Sequence, residues 1–234
     1  MNLSKTYSPV VSPFKGVIFD LDGTLLNTLR CIGSAFNQAL KTFNYPEHPF
    51  EDYAAFIGDG VFKCAERALP SDARSQPVID ALVACEREIY DATWQDNIEI
   101  YDGIPALLRT FREGNVPTAV LTNKDQLAAD ICLETCFPEH RFEAVIGYTG
   151  AYPHKPHPAC GNVLLDQLQL PPRDVMMLGD TSVDIQTARA CKLFAVGVSW
   201  GFRTRHSLEQ TGCDLLIDHP SQLLPAIQSM STKP

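Results

Sequence analysis

The chain lacks the features that would place it in a membrane or on a nucleic acid. It has no run approaching the roughly 18 consecutive apolar residues of a membrane span. Residues 1–13 are polar and proline-containing, without the apolar stretch of a secretory signal. There is also no run of Lys and Arg, and a formal net charge of −9 would on average repel a polyanion. We therefore expect neither a membrane nor a nucleic acid as a partner.

The cysteines give no sign of a disulfide framework. Eight are scattered along the chain, and no two form a C-x-x-C pair. Several lie within apolar patterns, where Cys behaves as a small hydrophobic residue. At 234 residues the chain is long enough to bury a core without disulfide support. We interpret the cysteines as reduced thiols and expect a cytoplasmic protein, while the oligomeric state stays open.

Two kinds of apolar pattern divide the chain. From about residue 28 to 97, apolar residues recur at helical spacing and no strand pattern is present. From residue 101 onward, short apolar strands alternate with helices, which is typical of βαβ units. The predicted helices are 29–43, 51–69 with an interruption at 58–60, 77–93, 104–113, 126–136, 159–168 and 184–190, and the predicted later strands are 118–122, 144–146, 175–178, 194–198 and 215–217.

These patterns predict an α/β fold, a Rossmann-like parallel sheet covered by helices on both faces. An earlier strand, near residues 17–19, precedes the helical block, so the block interrupts the α/β unit just after it begins. We predict an α/β core of residues 1–27 and 98–234 with an inserted helical domain of residues 28–97.

The first strand ends in two aspartates, in the stretch VIFDLDGTL at residues 17–25. Asp20 and Asp22 share a face while the strand lasts and can converge once the chain turns at Gly23. Two carboxylates held close together repel unless a cation or a shared proton offsets their charge. Taken alone, the stretch is equally compatible with a β-turn carrying two solvated aspartates.

Other polar residues follow the later strands. They are Thr122-Asn123-Lys124, the run from Gly179 to Asp184 (GDTSVD), and Lys155 in a loop (HKPHP) just before a helix. Because ligands bind beyond the carboxyl ends of parallel strands, these side chains are predicted at one sheet edge. Carboxylates, a hydroxyl, free amides and a lysine would then meet at that edge.

The set DxDGT at 20–24, TN at 122–123, KPxP at 155–158 and GDTxxD at 179–184 closely resembles the motifs of haloacid-dehalogenase-superfamily phosphatases. The resemblance runs from about residue 14 to 217, in the family's order. The helical block resembles the family's α-helical cap domain. Within it, FIGDG at 56–60 and ERAL at 66–69 are similar to the cap loop and helix of phosphoglycolate phosphatases.

The resemblance implies a Mg²⁺-dependent phosphatase acting through an aspartyl-phosphate. Asp20 would attack phosphorus, and Asp22 would protonate the leaving alkoxide and then activate water. Mg²⁺ would bind Asp20, the Asp22 backbone carbonyl and Asp180, with Asp184 in the outer shell.

Phosphate binding is assigned by the same resemblance. Thr122, with the amides of Asn123 and Lys124, would hold phosphate oxygens at a helix N-terminus, and Lys155 would add a positive charge. Gly58 and Arg67 are the predicted substrate contacts from the cap. For Lys124 and Arg67, an ordinary position on the protein surface remains the alternative to a role in binding substrate.

The expected substrate is a small phosphorylated metabolite, with phosphoglycolate favoured. A sugar-phosphate mutase and a pyrophosphatase share the Asp-x-Asp core and remain alternatives. A phospho-acceptor such as a receiver domain, or a phosphate-binding protein on the same scaffold, is the non-enzymatic alternative. Asp22 argues against a durable switch, because a second carboxylate two residues from the acceptor hastens turnover.

Overall fold

The computed structural model of the chain describes residues 13–231. The prediction that residues 1–13 carry no secretory signal therefore lies outside the described residues, apart from Pro13. Within residues 13–231, no helix combines the length and the apolar character needed to cross a bilayer.

Strands and helices alternate through most of the described chain. The strands are β1 (Gly16–Phe19), β2 (Leu26–Asn27), β3 (Glu99–Ile100), β4 (Thr118–Asp125), β5 (Ala144–Tyr148), β6 (Val175–Gly179), β7 (Phe194–Val198) and β8 (Leu215–Ile217). The helices are α1 (Leu29–Thr42), α2 (Phe50–Phe56), α3 (Val61–Ala68), α4 (Gln76–Thr93), α5 (Ile104–Glu113), α6 (Gln126–Cys136), α7 (Ala159–Leu168), α8 (Ser182–Ala190), α9 (Arg205–Glu209) and α10 (Leu223–Ser231).

Six of the strands form one parallel sheet in the order β5-β4-β1-β6-β7-β8. The first strand in sequence is central, with Ile18 opposite Ala119 of β4 and Met177 of β6. The predicted Rossmann-like α/β fold is confirmed. The pattern missed α9 and α10, and it ended β4 too early, because that strand continues through the polar residues 122–125.

The sheet is buried on both faces. Side chains alternate along β1, so that Ile18 packs in the cluster containing Leu164 of α7 and Ile185 of α8, while Phe19 faces the other way. On that second face the Phe19 ring lies 6.1 Å from the ring of Phe111 in α5. Packing from both sides fixes the strands in register and therefore fixes the positions of the polar residues that follow them.

Helices α1 to α4 form the insertion between β2 and β3. These two short strands pair antiparallel, with Leu26 opposite Ile100, and this ribbon joins the insertion to the sheet. The sequence pattern missed the ribbon, because two residues are too few to show a period. The predicted break in the second helix is confirmed, since α2 ends at Phe56 and α3 begins at Val61.

A hydrogen-bonded asparagine fixes the chain between α1 and α2. The buried Asn37 side chain donates to the His48 carbonyl (2.8 Å) and accepts from the His48 amide (2.9 Å). It also accepts a hydrogen bond from the hydroxyl of Tyr53 at 2.8 Å, and Tyr53 is fully buried. Asn37 therefore satisfies polar groups that would otherwise be buried without a partner.

We predict that Asn37→Ala lowers the free energy of unfolding by about 1–3 kcal/mol, because it leaves the Tyr53 hydroxyl buried and unpaired. Urea denaturation would measure this loss. Gln38→Ala is the matched control on the exposed side of the same helix turn, with an expected change within about 0.5 kcal/mol. Equal effects of the two substitutions would contradict the role assigned to Asn37.

Candidate active site

The aspartate that follows β1 is buried beside a lysine and a second aspartate. Lys155, from the loop between β5 and α7, places its Nζ 2.7 Å from Asp20 Oδ1 and 2.6 Å from Asp184 Oδ1. Burial raises the pKa of Asp20 to about 7, with Asp184 adding to the rise and Lys155 opposing it. Burial lowers the pKa of Lys155, but the two carboxylates outweigh that effect and hold it above its ordinary value.

Asp180, which follows β6, keeps one oxygen unpaired. Its Oδ2 accepts a hydrogen bond from the Phe202 amide at 2.7 Å, whereas its buried Oδ1 has no partner among residues 13–231. Burial raises the pKa of Asp180 well above its usual range, and the charges of Asp184 and Asp20 raise it further. The unpaired oxygen is therefore available to a ligand that the protein itself does not supply.

Two glycines let the first turn pack against Asp180. Gly23 has φ +89°, and a Cβ there would lie 2.4 Å from Asp180 Oδ2. A Cβ on Gly201 would lie 2.2 Å from the Gly23 carbonyl oxygen and 2.4 Å from Asp180 Cβ. Trp200 holds the same turn through a hydrogen bond from Nε1 to the Thr24 carbonyl at 3.0 Å. Only glycine fits at these two positions without moving the carboxylate.

The three carboxylates suit a divalent metal ion. One oxygen from each of Asp20, Asp180 and Asp184 lies within 4.8 Å of the others. Hard cations such as Mg²⁺ are bound by carboxylate and carbonyl oxygens, and a cation would offset the repulsion that raises the pKa values of Asp20 and Asp180. The unpaired Oδ1 of Asp180 provides a ready ligand atom. The residues present therefore fit the predicted metal.

Asp184 differs from the other two carboxylates because protein donors already engage both of its oxygens. Oδ1 accepts from Lys155, and Oδ2 accepts from the Thr181 amide (3.0 Å) and the Thr181 hydroxyl (2.6 Å). The bond from the Thr181 amide is one half of a capping box at the start of α8, and the other half runs from the Asp184 amide to the Thr181 side chain. Such contacts favour the predicted outer-shell position of Asp184.

The segment predicted to bind phosphate lies in a strand rather than at a helix N-terminus. Thr122 and Asn123 belong to β4, which runs to Asp125, and α6 begins only at Gln126. The predicted helix N-terminus at Thr122 is therefore wrong. The Lys124 amide donates to the Thr122 hydroxyl at 3.1 Å, so this segment curls locally, where the pairing of β4 with β5 is also irregular.

The side chain of Asn123 connects three segments, a role that its sequence context did not indicate. Its Oδ1 accepts from the Lys155 amide (2.8 Å), and its Nδ2 donates to the Lys155 carbonyl (3.2 Å). The same Nδ2 also donates to the Gly58 carbonyl of the insertion at 2.9 Å. Asn123 thus orients the loop that carries Lys155 and connects the Gly58 loop of the insertion to the sheet edge.

The alternative of a surface position for Lys124 is wrong. Its side chain is only 8% exposed, and its Nζ lies 3.2 Å from Asp22 Oδ1. Burial lowers the pKa of Lys124, but Asp22, Tyr90 and Cys132 together outweigh burial and hold that pKa well above its usual range. Tyr90 of α4 covers the ammonium, whose Nζ is 4.4 Å from the ring centroid.

A pocket lies between the sheet edge and the helical insertion. The polar residues on the sheet side are Asp20, Asp22, Thr122, Asn123, Lys124 and Asp125. The insertion contributes mainly an apolar wall, formed by Ile32, Phe36, Ile57, Val61, Cys64 and Tyr90. Gly58, as predicted, lies at this pocket.

Arg67 is placed away from the pocket lining. Its guanidinium donates to Asp59 Oδ2 at 2.5 Å and to the Phe56 carbonyl at 2.8 Å. These bonds brace the loop between α2 and α3, and the contact of Arg67 with substrate stays a prediction that this placement does not support. Arg203, which sequence reasoning missed, reaches the same loop from the core by donating to the Ile57 carbonyl at 2.9 Å.

A buried glutamate in the pocket wall was also missed. Glu86 of α4 is 4% exposed and lines the pocket. Burial raises its pKa to about 8, with Lys124 opposing the rise and Asp125 adding to it. The available signal was its spacing of four residues from Leu82 and from Tyr90, which places it on the buried face of α4.

Sequence and structure comparisons agree on one family. The family model described as haloacid dehalogenase-like hydrolase matches residues 17–198. The chain belongs to the haloacid dehalogenase-like hydrolases. The matched span begins in β1 and ends with β7, so it includes Asp20, Thr122, Lys155 and Asp180.

Relatives and solved structures support the same assignment. A phosphoglycolate phosphatase from Haemophilus influenzae is 30% identical over 217 residues, covering 90% of this chain and 97% of that protein. One from Photobacterium profundum is 27% identical, covering 92% and 96%. A Lactobacillus delbrueckii subsp. bulgaricus crystal structure, provisionally assigned as a phosphoglycolate phosphatase, superposes with a TM-score of 0.86 at 28% identity, covering 92% and 98%. The prediction of a phosphatase of this family is confirmed.

We predict that Glu86→Gln stabilises the metal-free protein increasingly as the pH rises from about 4.5 to about 8. In that range the folded wild-type protein keeps a proton on Glu86. The unfolded chain releases this proton, because its Glu86 has the ordinary Glu pKa of 4.5. The stability of wild type therefore falls by up to about 1.4 kcal/mol per pH unit relative to the variant.

Urea denaturation at several pH values would measure that difference. Glu88→Gln, an exposed position on the same helix, is the control and should show little pH-dependent gain. A gain for Glu86→Gln that does not vary with pH would show that the wild-type carboxyl is ionised throughout.

Proposed function

We propose that the protein is a Mg²⁺-dependent phosphatase that hydrolyses a small phosphorylated metabolite through an aspartyl-phosphate on Asp20. One observation carries the proposal: Asp20 lies at the pocket, buried and bonded to Lys155, within a carboxylate cluster that suits a divalent ion. Phosphoryl transfer needs this combination of an in-line nucleophile and neutralised charge.

The chemical steps follow from the positions of the side chains. Lys155 occupies Asp20 Oδ1, which leaves Oδ2 to form the bond to phosphorus as the bond to the leaving oxygen breaks. Asp22 donates a proton to the departing alkoxide. Asp22 then takes a proton from water, whose oxygen attacks phosphorus, and the Asp20 carboxylate is restored as phosphate leaves.

Asp20, Asp180 and the Asp22 backbone carbonyl would hold Mg²⁺, with Asp184 supporting them from the outer shell. When bound, the ion neutralises charge on the phosphoryl oxygens. Thr122, the Asn123 amide and Lys155 would bind those same oxygens. Lys155 is suited to this because its ammonium already faces Asp20.

We also propose the division into a core of residues 1–27 and 98–234 and a cap of residues 28–97. The β2–β3 ribbon joins the two, and the Gly58 loop reaches the sheet edge through Asn123. A cap that closes on the core would exclude water from the transfer to Asp20 and would choose the substrate. The mutase and pyrophosphatase alternatives share this core and differ in what the cap admits.

We predict that Asp20→Asn abolishes phosphate release from p-nitrophenyl phosphate while the protein stays folded, because the amide cannot form the acyl phosphate. Wild-type release should require Mg²⁺ and disappear with EDTA. A malachite green assay and circular dichroism would measure release and folding. The exposed Asp72→Asn control should keep wild-type activity. Activity retained by Asp20→Asn would overturn the nucleophile assignment.

Phosphoglycolate is the proposed substrate, supported by the names of the relatives and by the cap-loop resemblance. The lining residues offer its carboxylate no unpaired cation, since Lys124 pairs with Asp22 and Arg87 pairs with Asp125. Glu86, held protonated by burial below about pH 8, can instead donate a hydrogen bond to that carboxylate. The same donor would suit a hydroxyl, which makes the phosphate ester of a neutral alcohol the second candidate.

We predict that wild type discriminates increasingly against phosphoglycolate as the pH rises from 7 to 9, on either side of the Glu86 pKa of about 8. Ionised Glu86 repels a carboxylate but not a neutral alcohol. The kcat/KM for phosphoglycolate relative to that for glycerol 3-phosphate should therefore fall about tenfold.

Taking the ratio of the two kcat/KM values removes the effect of any group whose titration changes both reactions equally. In Glu86→Gln the ratio should stay nearly constant over the same pH range. An equal fall in the variant would remove Glu86 from substrate recognition, and a tenfold preference for glycerol 3-phosphate at pH 7 would favour the second candidate.

A further inference from the structure

The ammonium of Lys124 is held between Asp22, the proposed proton donor of the core, and an aromatic ring of the insertion. Its Nζ lies 3.2 Å from Asp22 Oδ1 and 4.4 Å from the centroid of the Tyr90 ring. The Lys124 and Asp22 side chains are 8% and 12% exposed. Both contacts are thus shielded from water. Ionic and cation–π attractions are stronger in such a buried site than in water.

The ring itself is fixed by contacts with the core. Tyr90 lies in α4 and is buried, and its hydroxyl is 3.7 Å from the thiol of Cys132 in α6. Lys124 follows Asn123 in β4, and the Asn123 side chain donates a hydrogen bond to the Gly58 carbonyl of the insertion. The position of the ring over the ammonium therefore depends on how the insertion packs on the sheet edge.

We propose that Tyr90 and Lys124 are positioning residues for Asp22: the ring holds the ammonium, and the ammonium holds one carboxylate oxygen. This inference rests on the proposed function. Because Lys124 occupies Oδ1, the proton for the leaving alkoxide is carried by Oδ2, and the fixed carboxylate presents that oxygen to the substrate. Lys124 itself transfers no proton.

One consequence concerns the leaving group. Protonation by Asp22 matters for an alkoxide, which is a poor leaving group, and matters little for p-nitrophenolate, which departs without a proton. Loss of the positioning contacts should therefore slow an alkyl phosphate much more than an aryl phosphate. A contact that merely supports the fold would slow both substrates to the same extent.

The experiment compares kcat/KM for glycerol 3-phosphate and p-nitrophenyl phosphate with Mg²⁺ present. This parameter covers the steps up to release of the alcohol, so later hydrolysis of the aspartyl-phosphate does not enter it. We expect Lys124→Met and Tyr90→Leu each to lower the alkyl-to-aryl ratio at least tenfold. Tyr90→Phe keeps the ring and should hold the ratio within threefold of wild type.

A second experiment introduces Lys124→Met into an Asp22→Asn variant. Because Asp22→Asn already removes the proton donor, adding Lys124→Met should lower the ratio no further. A further tenfold fall in the double variant would mean that Lys124 acts independently of Asp22 and would overturn the inference.

Other results separate this inference from the proposed function. Equal losses on both substrates would overturn the positioning role alone. A Tyr90→Phe variant as impaired as Tyr90→Leu would overturn the part assigned to the ring. If Tyr90→Leu does not fold, Lys124→Met and the double variant decide the matter. A wild type inactive on both esters would overturn the proposed function and this inference with it.

Discussion

Three buried carboxylates meet at the end of the sheet, and their mutual repulsion constrains everything built around them. Asp20, Asp180 and Asp184 bring oxygens within 4.8 Å of one another, and Lys155 contacts two of the three. The negative charge that Lys155 does not neutralise is unfavourable in a buried site. Burial and the neighbouring carboxylates therefore raise the pKa values of Asp20 and Asp180. A divalent ion bound here would relieve this repulsion and would also neutralise the charge of a phosphoryl group.

The surrounding structure preserves this arrangement. Gly23 and Gly201 permit a close approach to Asp180 that a Cβ at either position would block. Asn123 fixes the backbone of Lys155. The capping box at Thr181 engages the Asp184 oxygen that Lys155 leaves free. The site is therefore held by the ends of β1, β4 and β6, which packing on both faces of the sheet keeps in register.

The insertion is attached to the same edge through contacts near the pocket. Asn123 bonds to Gly58, Arg203 bonds to Ile57, and the Tyr90 ring covers Lys124. These contacts connect the placement of the insertion with the geometry of the groups proposed to be catalytic. The substrate would thus meet a wall from the insertion on one side and the carboxylate cluster on the other.

The sequence predicted the fold, and it predicted that polar residues from separate motifs meet at one sheet edge, because the signals for both are local. Apolar periods located most strands and helices, and short motifs marked Asp20, Lys155 and Asp180 at strand ends. The missed features depend on tertiary contacts. Burial of Glu86 and Lys124 depends on which helix face meets the sheet edge, and the bonds of Asn123 join segments 32 and 65 residues apart.

The most direct test of the central claim is to capture the phosphorylated enzyme. Protein mixed rapidly with substrate would be quenched in acid, and its peptides would be analysed by mass spectrometry, with Mg²⁺ or with EDTA. We predict phosphate on the peptide that contains Asp20, dependent on Mg²⁺. Rapid turnover with phosphate on a different residue, or Asp20 phosphorylated equally well in EDTA, would contradict the account.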